Sequence, residues 1–169
     1  PLVSDIPTEV DAFIAWYERL HEVGPGQGDP LFPWLATQAT LEQMRWFLFQ
    51  EVAGEAGFED LLAMTQVKMP EQAKLEMARN YWDEMGRGSA KGMHGEMLAV
   101  LARWFDITPT ADTVVAESLA LGNAMVAMAR HRHYAFHSIG ALGVIEMTAP
   151  GRAACVNEGL RRLRVGERG

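Results

Sequence analysis

Residues 80–97 read NYWDEMGRGSAKGMHGEM. A helical period runs up to Gly86 and another starts near His94, while the glycine-rich segment between them interrupts both. The stretch therefore predicts a helix, a tight elbow and a second helix. Glu84 closes the first helix and His94 opens the second, and helical counting turns both toward the apolar faces.

Further helices are predicted on both sides of this elbow. Thr40 and Gln43 form a partial capping box at the start of a long helix, and Pro150 is predicted to end another. Glycine and proline make residues 24–34 a predicted loop. The six predicted helices cover residues 7–23, 41–64, 71–85, 89–105 (beginning at Ser89 or Lys91), 112–148 and about 152–164.

The composition predicts one all-α domain over residues 1–169. Val and Ile are scarce, no segment alternates apolar and polar residues for long, and 49% of the residues are apolar. A net charge of −7 makes nucleic acid an unexpected partner, and no apolar run is long enough for a membrane span. The N-terminus has no signal-peptide pattern, and the single cysteine, Cys155, fits a reducing cytoplasm.

Several acidic side chains fall on apolar helix faces. Burying carboxylates together costs several kcal/mol unless a cation lies among them. No matching set of inward Lys or Arg accompanies them, so a metal ion is the natural compensator, and carboxylates with imidazole are typical of di-iron or di-manganese bundles. Taken singly, each of these glutamates also fits a salt-bridged surface residue, and the histidine fits a core residue whose hydrogen bonds are satisfied. Glu59 is placed off the edge of its stripe. The inward set, and the predicted metal ligands, are Glu51, Glu55, Glu84, Glu146 and His94.

The segment QEVAGEAGFEDLLAMTQVKMPEQAKLEMARNYWDEMGRGSAKGMHGEML, residues 50–98, resembles the haem-oxygenase-like diiron oxidases, or iron-containing redox enzymes. The similarity runs over about residues 34–165. It implies a seven-helix bundle of haem-oxygenase topology, two iron ions (or manganese), O₂ as co-substrate, and oxidation of a small amino-acid-like or fatty-acid-like substrate. It also suggests a homodimer. The ligands that it implies are Glu84, His94, and either Glu55 or Glu51.

One element of the family's pattern does not occur in this chain. The remaining ligands of the family lie in a His-x3-Asp-x2-His motif on a later helix. RHRHYAFH, residues 130–137, contains histidines but no aspartate. We therefore expect the domain to lack the C-terminal helix that carries those ligands, since that helix would follow residue 169.

Other functions remain open on the sequence. A metal-free TenA-like enzyme needs a nucleophilic cysteine, whereas Cys155 lies among small residues and fits a structural role. His21 could serve as an axial haem ligand, but its place at a helix C-terminus fits capping. A quinone-cofactor-type oxidase would use a His and Arg pocket such as residues 129–137. A non-catalytic helical dimerisation module would turn the inward glutamates to solvent.

Overall fold

The computed structural model describes residues 6–55 and 57–166. This part of the chain is helical, with three short 3-10 turns and one isolated β-bridge but no strand, so the predicted all-α class is confirmed. The helices are α1 (Val10–Glu18), α2 (Leu20–Val23), α3 (Leu31–Thr37), α4 (Leu41–Glu55), α5 (Phe58–Thr65), α6 (Glu71–Glu84), α7 (His94–Phe105), α8 (Ala116–Arg130) and α9 (Ala135–Arg162).

The chain divides into two compact units. One comprises the described residues up to Met44 together with those from Leu142 onward, and the other comprises Arg45–Ala141. The boundaries fall inside α4 and α9. The elbow between α6 and α7 belongs to the second unit, and so does every contact of His94 described below.

In the first unit, α9 approaches α3 closely. A Cβ on Gly159 would overlap the carbonyl oxygen of Leu35, so only glycine permits this approach. Arg162 then donates from Nε to the Ala36 carbonyl at 2.9 Å and from Nη2 to the Ala39 carbonyl at 2.6 Å. The arginine thereby satisfies carbonyls at the end of α3 that have no partner inside the helix.

In the second unit, α5 packs against α6, α7 and α8. Phe58, Leu61 and Leu62 on α5 are buried, as is Met77 on α6. Phe58, Leu61 and Leu62 lie three and four residues apart and so form one apolar face of α5. Burial of this face stabilises a helix of only eight residues, which would be marginal alone.

The α7 helix is fixed at its far end by Arg45. This arginine donates to the carbonyls of Phe105 and Asp106, at 2.7 and 2.5 Å. Both acceptors lie at the C-terminus of α7, where carbonyls lack intrahelical partners and a positive charge is favoured. Arg45 therefore fixes the C-terminal end of α7, and the elbow fixes its start.

The helix boundaries confirm some predictions and correct others. The capping box is confirmed, since Thr40 and Gln43 exchange two bonds of 2.9 and 3.2 Å. The predicted helix 41–64 is wrong as one element, because α4 ends at Glu55 and Gly57, with a φ of +76°, precedes α5. The predicted loop 24–34 is wrong at its end, because α3 begins at Leu31.

Two further boundaries are corrected after residue 105. The predicted helix 112–148 divides into α8 and α9 around a 3-10 turn. Pro150 does not end a helix, since α9 continues through it to include the predicted last helix. Hydrogen bonds hold α9 on both sides of the proline, from Gln27 to the Thr148 carbonyl and from Arg162 to the Ala36 carbonyl, against the roughly 3 kcal/mol that an interior proline costs.

Candidate metal centre

The elbow brings the end of α6 and the start of α7 together. Glu84 is the last residue of α6 and His94 is the first of α7. Two short 3-10 turns lie between them, and Met85 and Met93 pair in an antiparallel bridge. Since the bridge joins the immediate neighbours of Glu84 and His94, it holds those two residues side by side.

His94 contacts two of the predicted carboxylates. Its Nδ1 lies 2.9 Å from Oε2 of Glu84, and its Nε2 lies 3.5 Å from Oε2 of Glu55. The side chain of Glu84 is 15% exposed, that of His94 26% and that of Glu55 42%. The imidazole therefore lies between two carboxylates that come from different helices, and the Glu84 side is the better shielded.

This arrangement favours a protonated imidazole. The carboxylates of Glu55, then of Glu84, raise the pKa of His94 from 6.5 to about 10, although burial opposes the shift. The ring also stacks on Phe58, with centroids 5.4 Å apart and planes 18° from parallel. Near neutral pH, His94 is therefore an imidazolium that offsets the negative charge around it.

Three buried oxygens in the described residues have no hydrogen-bond partner: Oε2 of Glu84, Oε2 of Glu59 and Oδ1 of Asn80. The 2.9 Å contact of the Glu84 oxygen with His94 is an ion pair without hydrogen-bonding geometry. Asn80 lies one helical turn before Glu84 and so shares its face of α6. Unpaired buried acceptors of this kind point to a missing donor or cation.

Glu59 is the residue that the sequence prediction misplaced. Its carboxylate lies against the first turn of α7. The contact is so close that a Cβ on Gly95 would overlap Oε1 of Glu59. Counting along an unbroken helix turned Glu59 away from the stripe. The break before Phe58 rotates α5 relative to that count, and Gly57 is the residue that could have signalled it.

The two other predicted ligands are placed differently. Glu51 lies one turn before Glu55 on α4 and is half-buried. Glu146 lies on α9 in the first unit and is exposed, so the prediction that it faces inward is wrong. Burial raises the pKa of Tyr17, and the nearby charge of Glu146 raises it further. The structure therefore brings Glu55, Glu84 and His94 together, and places Glu146 in the other unit.

The donor set fits iron in its chemistry. Carboxylate, amide and imidazole groups are ligands for iron and manganese, and the unpaired oxygens offer free acceptor positions. In residues 6–55 and 57–166, no three His, Cys, Asp or Glu side chains lie in an arrangement that could hold a metal ion. Because an imidazole binds a metal in its neutral form, an ion at this place would have to displace the proton that the two carboxylates favour on His94.

The residues on which the alternative functions depend do not contact Glu55, Glu84 or His94 among the contacts described. His21 is exposed in the last turn of α2, and Cys155 is a half-buried free thiol on α9. His133 and His137 are exposed and pack edge-on against the ring of Tyr134. Over the described ranges, no helix is both long and apolar enough to cross a membrane.

The fold and the family comparison agree on the class of protein. The all-α fold is consistent with the haem-oxygenase-like bundle predicted from the sequence. A family model described as "iron-containing redox enzyme" matches residues 45–169, which is most of the chain. The chain therefore belongs to the iron-containing redox enzymes. No curated protein and no solved structure matches it significantly.

Proposed function

We propose that the chain is a non-haem iron-dependent oxidoreductase whose metal centre includes Glu55, Glu84 and His94, with Glu59 as an additional carboxylate. The observation that carries the proposal is a buried oxygen of the Glu59 carboxylate that has no hydrogen-bond donor. This carboxylate lies against the first turn of α7, which begins with His94 between Glu55 and Glu84. A carboxylate in that state is costly to retain unless a cation completes its surroundings.

The arginines that could balance these carboxylates bind elsewhere. Arg45 donates to carbonyls at the end of α7. Arg79 pairs with Glu76 on the exposed face of α6. Arg132 donates to the carbonyls of Met64 and Thr65. Within the described residues, the ion pairs of Glu55 and Glu84 are those with His94, so the counter-charge of the proposed centre is the His94 proton or a metal ion.

The protein's own groups prepare the centre in two ways. His94 must give up its proton to become a ligand, and because the carboxylates on either side of it must stay ionised as ligands, that proton would be released to solvent. The stacked ring of Phe58 limits rotation of the imidazole and shields one of its faces. Bound iron would supply the redox chemistry that these side chains lack, with O₂ as co-substrate.

The finer features of the proposal follow the family resemblance. They are a pair of iron ions, with manganese as an alternative, Glu51 as a further ligand, and a small amino-acid-like or fatty-acid-like substrate. A cytoplasmic homodimer and a single domain over residues 1–169 belong to the same proposal. Carboxylate and imidazole donors suit either metal.

Iron retention tests the proposal directly. The protein is purified without oxygen from cells grown with added iron, and bound iron is measured by mass spectrometry. We expect wild type to retain iron and Glu84→Gln to lose most of it. Glu76→Gln, on the exposed face of the same helix, is the matched control and should retain iron. Wild type without iron, or Glu84→Gln with as much iron as wild type, would contradict the proposal.

A further inference from the structure

The backbone of the elbow has an unusual conformation. Gly86, Arg87 and Gly88 have φ values of +60°, +53° and +85°, so three consecutive residues lie in the left-handed region. L-residues with a side chain rarely adopt that region, and a run of three is rarer still. The chain reverses direction within this run, directly after the end of α6.

Gly86 also contacts the other arm of the elbow through the backbone. A Cβ on Gly86 would overlap the carbonyl carbon of Gly92 and lie 2.7 Å from the amide nitrogen of Met93. These are main-chain atoms, which cannot turn aside as the end of a side chain can. A Cβ on Gly92 would meet the Cα of Gly86 at 3.2 Å, which is a milder conflict. The two arms therefore touch at a place that only glycine allows.

The side-chain contacts at the elbow are weaker than these backbone contacts. Asp83 and Arg87 pair at 2.6 Å, but their side chains are 53% and 76% exposed. Such an exposed pair contributes little to a fixed geometry. The indole of Trp82 lies over Gly88, yet Trp82 is 56% exposed. The glycine contact thus sets the distance between the arms together with the Met85–Met93 bridge, which lies directly beside it.

We propose that Gly86 and Gly92 are positioning residues of the metal centre, because their backbone contact sets the separation of Glu84 and His94. Each glycine lies two residues from the ligand on its own arm, so a displacement between the arms passes directly to that pair. The inference rests on the proposed function, and it deepens that function by naming what holds the ligands in place.

Cobalt(II) provides a probe that does not depend on turnover. Anaerobic titration followed by visible absorbance gives the affinity of the chain for Co²⁺. We expect Gly86→Ala to weaken Co²⁺ binding about tenfold or more, which is typical when residues that orient metal ligands are changed. Gly92→Ala should weaken it less, in proportion to its milder conflict.

Gly28→Ala is the matched control. Gly28 has a φ of +73°, but its Cβ position has no atom within 4 Å, so alanine introduces the same backbone strain without the collision. We expect its Co²⁺ affinity to equal that of wild type. Helix content from circular dichroism establishes that each variant is folded. If Gly86→Ala fails to fold, Gly92→Ala carries the comparison.

A second readout separates this inference from the proposed function. In metal-free protein, NMR shifts of the His94 ring protons report its stacking on Phe58. We expect these shifts to change in the elbow variants and not in Gly28→Ala. Unchanged shifts with unchanged Co²⁺ affinity in folded elbow variants would overturn the positioning role. If wild type binds no Co²⁺ but the elbow variants still change the His94 ring shifts, the proposed metal centre would be contradicted and the positioning of His94 by the elbow would stand.

Discussion

Replacing Glu59 by methionine should affect stability and metal binding in opposite directions. Glu59 Oε2 is buried without a hydrogen-bond partner, and its Oε1 lies against the first turn of α7. An unsatisfied buried polar group costs about 1–3 kcal/mol, which methionine of similar length removes. The lost attraction between a carboxylate and a helix N-terminus offsets about 0.3–1 kcal/mol of that gain.

The net expectation is a metal-free protein that is more stable by about 1 kcal/mol. For a chain of this size, 1 kcal/mol raises the melting temperature by roughly 2–4 °C. Iron retention should fall at the same time, because an oxygen donor at the centre is lost. Thermal and urea unfolding in the presence of a chelator measure the first effect, and iron analysis measures the second.

Glu76→Met is the control, since Glu76 is exposed on α6 and its replacement should change stability by no more than about 0.5 kcal/mol. A metal-free Glu59→Met protein that is less stable than wild type would show that the carboxylate already has adequate partners. If Glu59→Met retained as much iron as wild type, Glu59 would not be a ligand of the centre.

Two further predictions concern the groups around α7. In metal-free protein the folded pKa of His94 is about 10 against 6.5 unfolded, so its stabilising contribution is complete below pH 6.5 and is lost as the pH rises toward 10. The difference in unfolding free energy between wild type and His94→Gln should therefore shrink from pH 6 to pH 9.5, and a constant difference would contradict this. Arg45→Met should lower the unfolding free energy by about 2 kcal/mol through two lost charged hydrogen bonds. Urea unfolding measures it, and no loss would show that water replaces the arginine at those carbonyls.

The sequence was sufficient to predict the elbow and its two flanking residues. Glycines end both helical periods there, and a turn so short leaves Glu84 and His94 little freedom to separate. The capping box at Thr40 was equally local and was predicted correctly. Features set by residues close together in the chain were within reach of the sequence.

Features that depend on contacts between residues far apart in the chain could not be predicted from the sequence. Pro150 is an interior residue of α9 because bonds from remote residues hold the helix on both sides of it. The position of Glu59 depends on the rotation of α5 after Gly57, and a count along one unbroken helix cannot supply that rotation. A single misplaced helix boundary was enough to leave Glu59 out of the predicted inward set, although one of its oxygens is buried.

The most direct test of the metal centre is a crystal structure of the iron-loaded protein, with diffraction measured at the iron absorption edge. We predict an anomalous peak bonded to both the Glu84 carboxylate and the His94 ring, with their present ion pair broken. A peak at another place, with the Glu84–His94 contact intact as in the metal-free chain, would contradict the proposed centre.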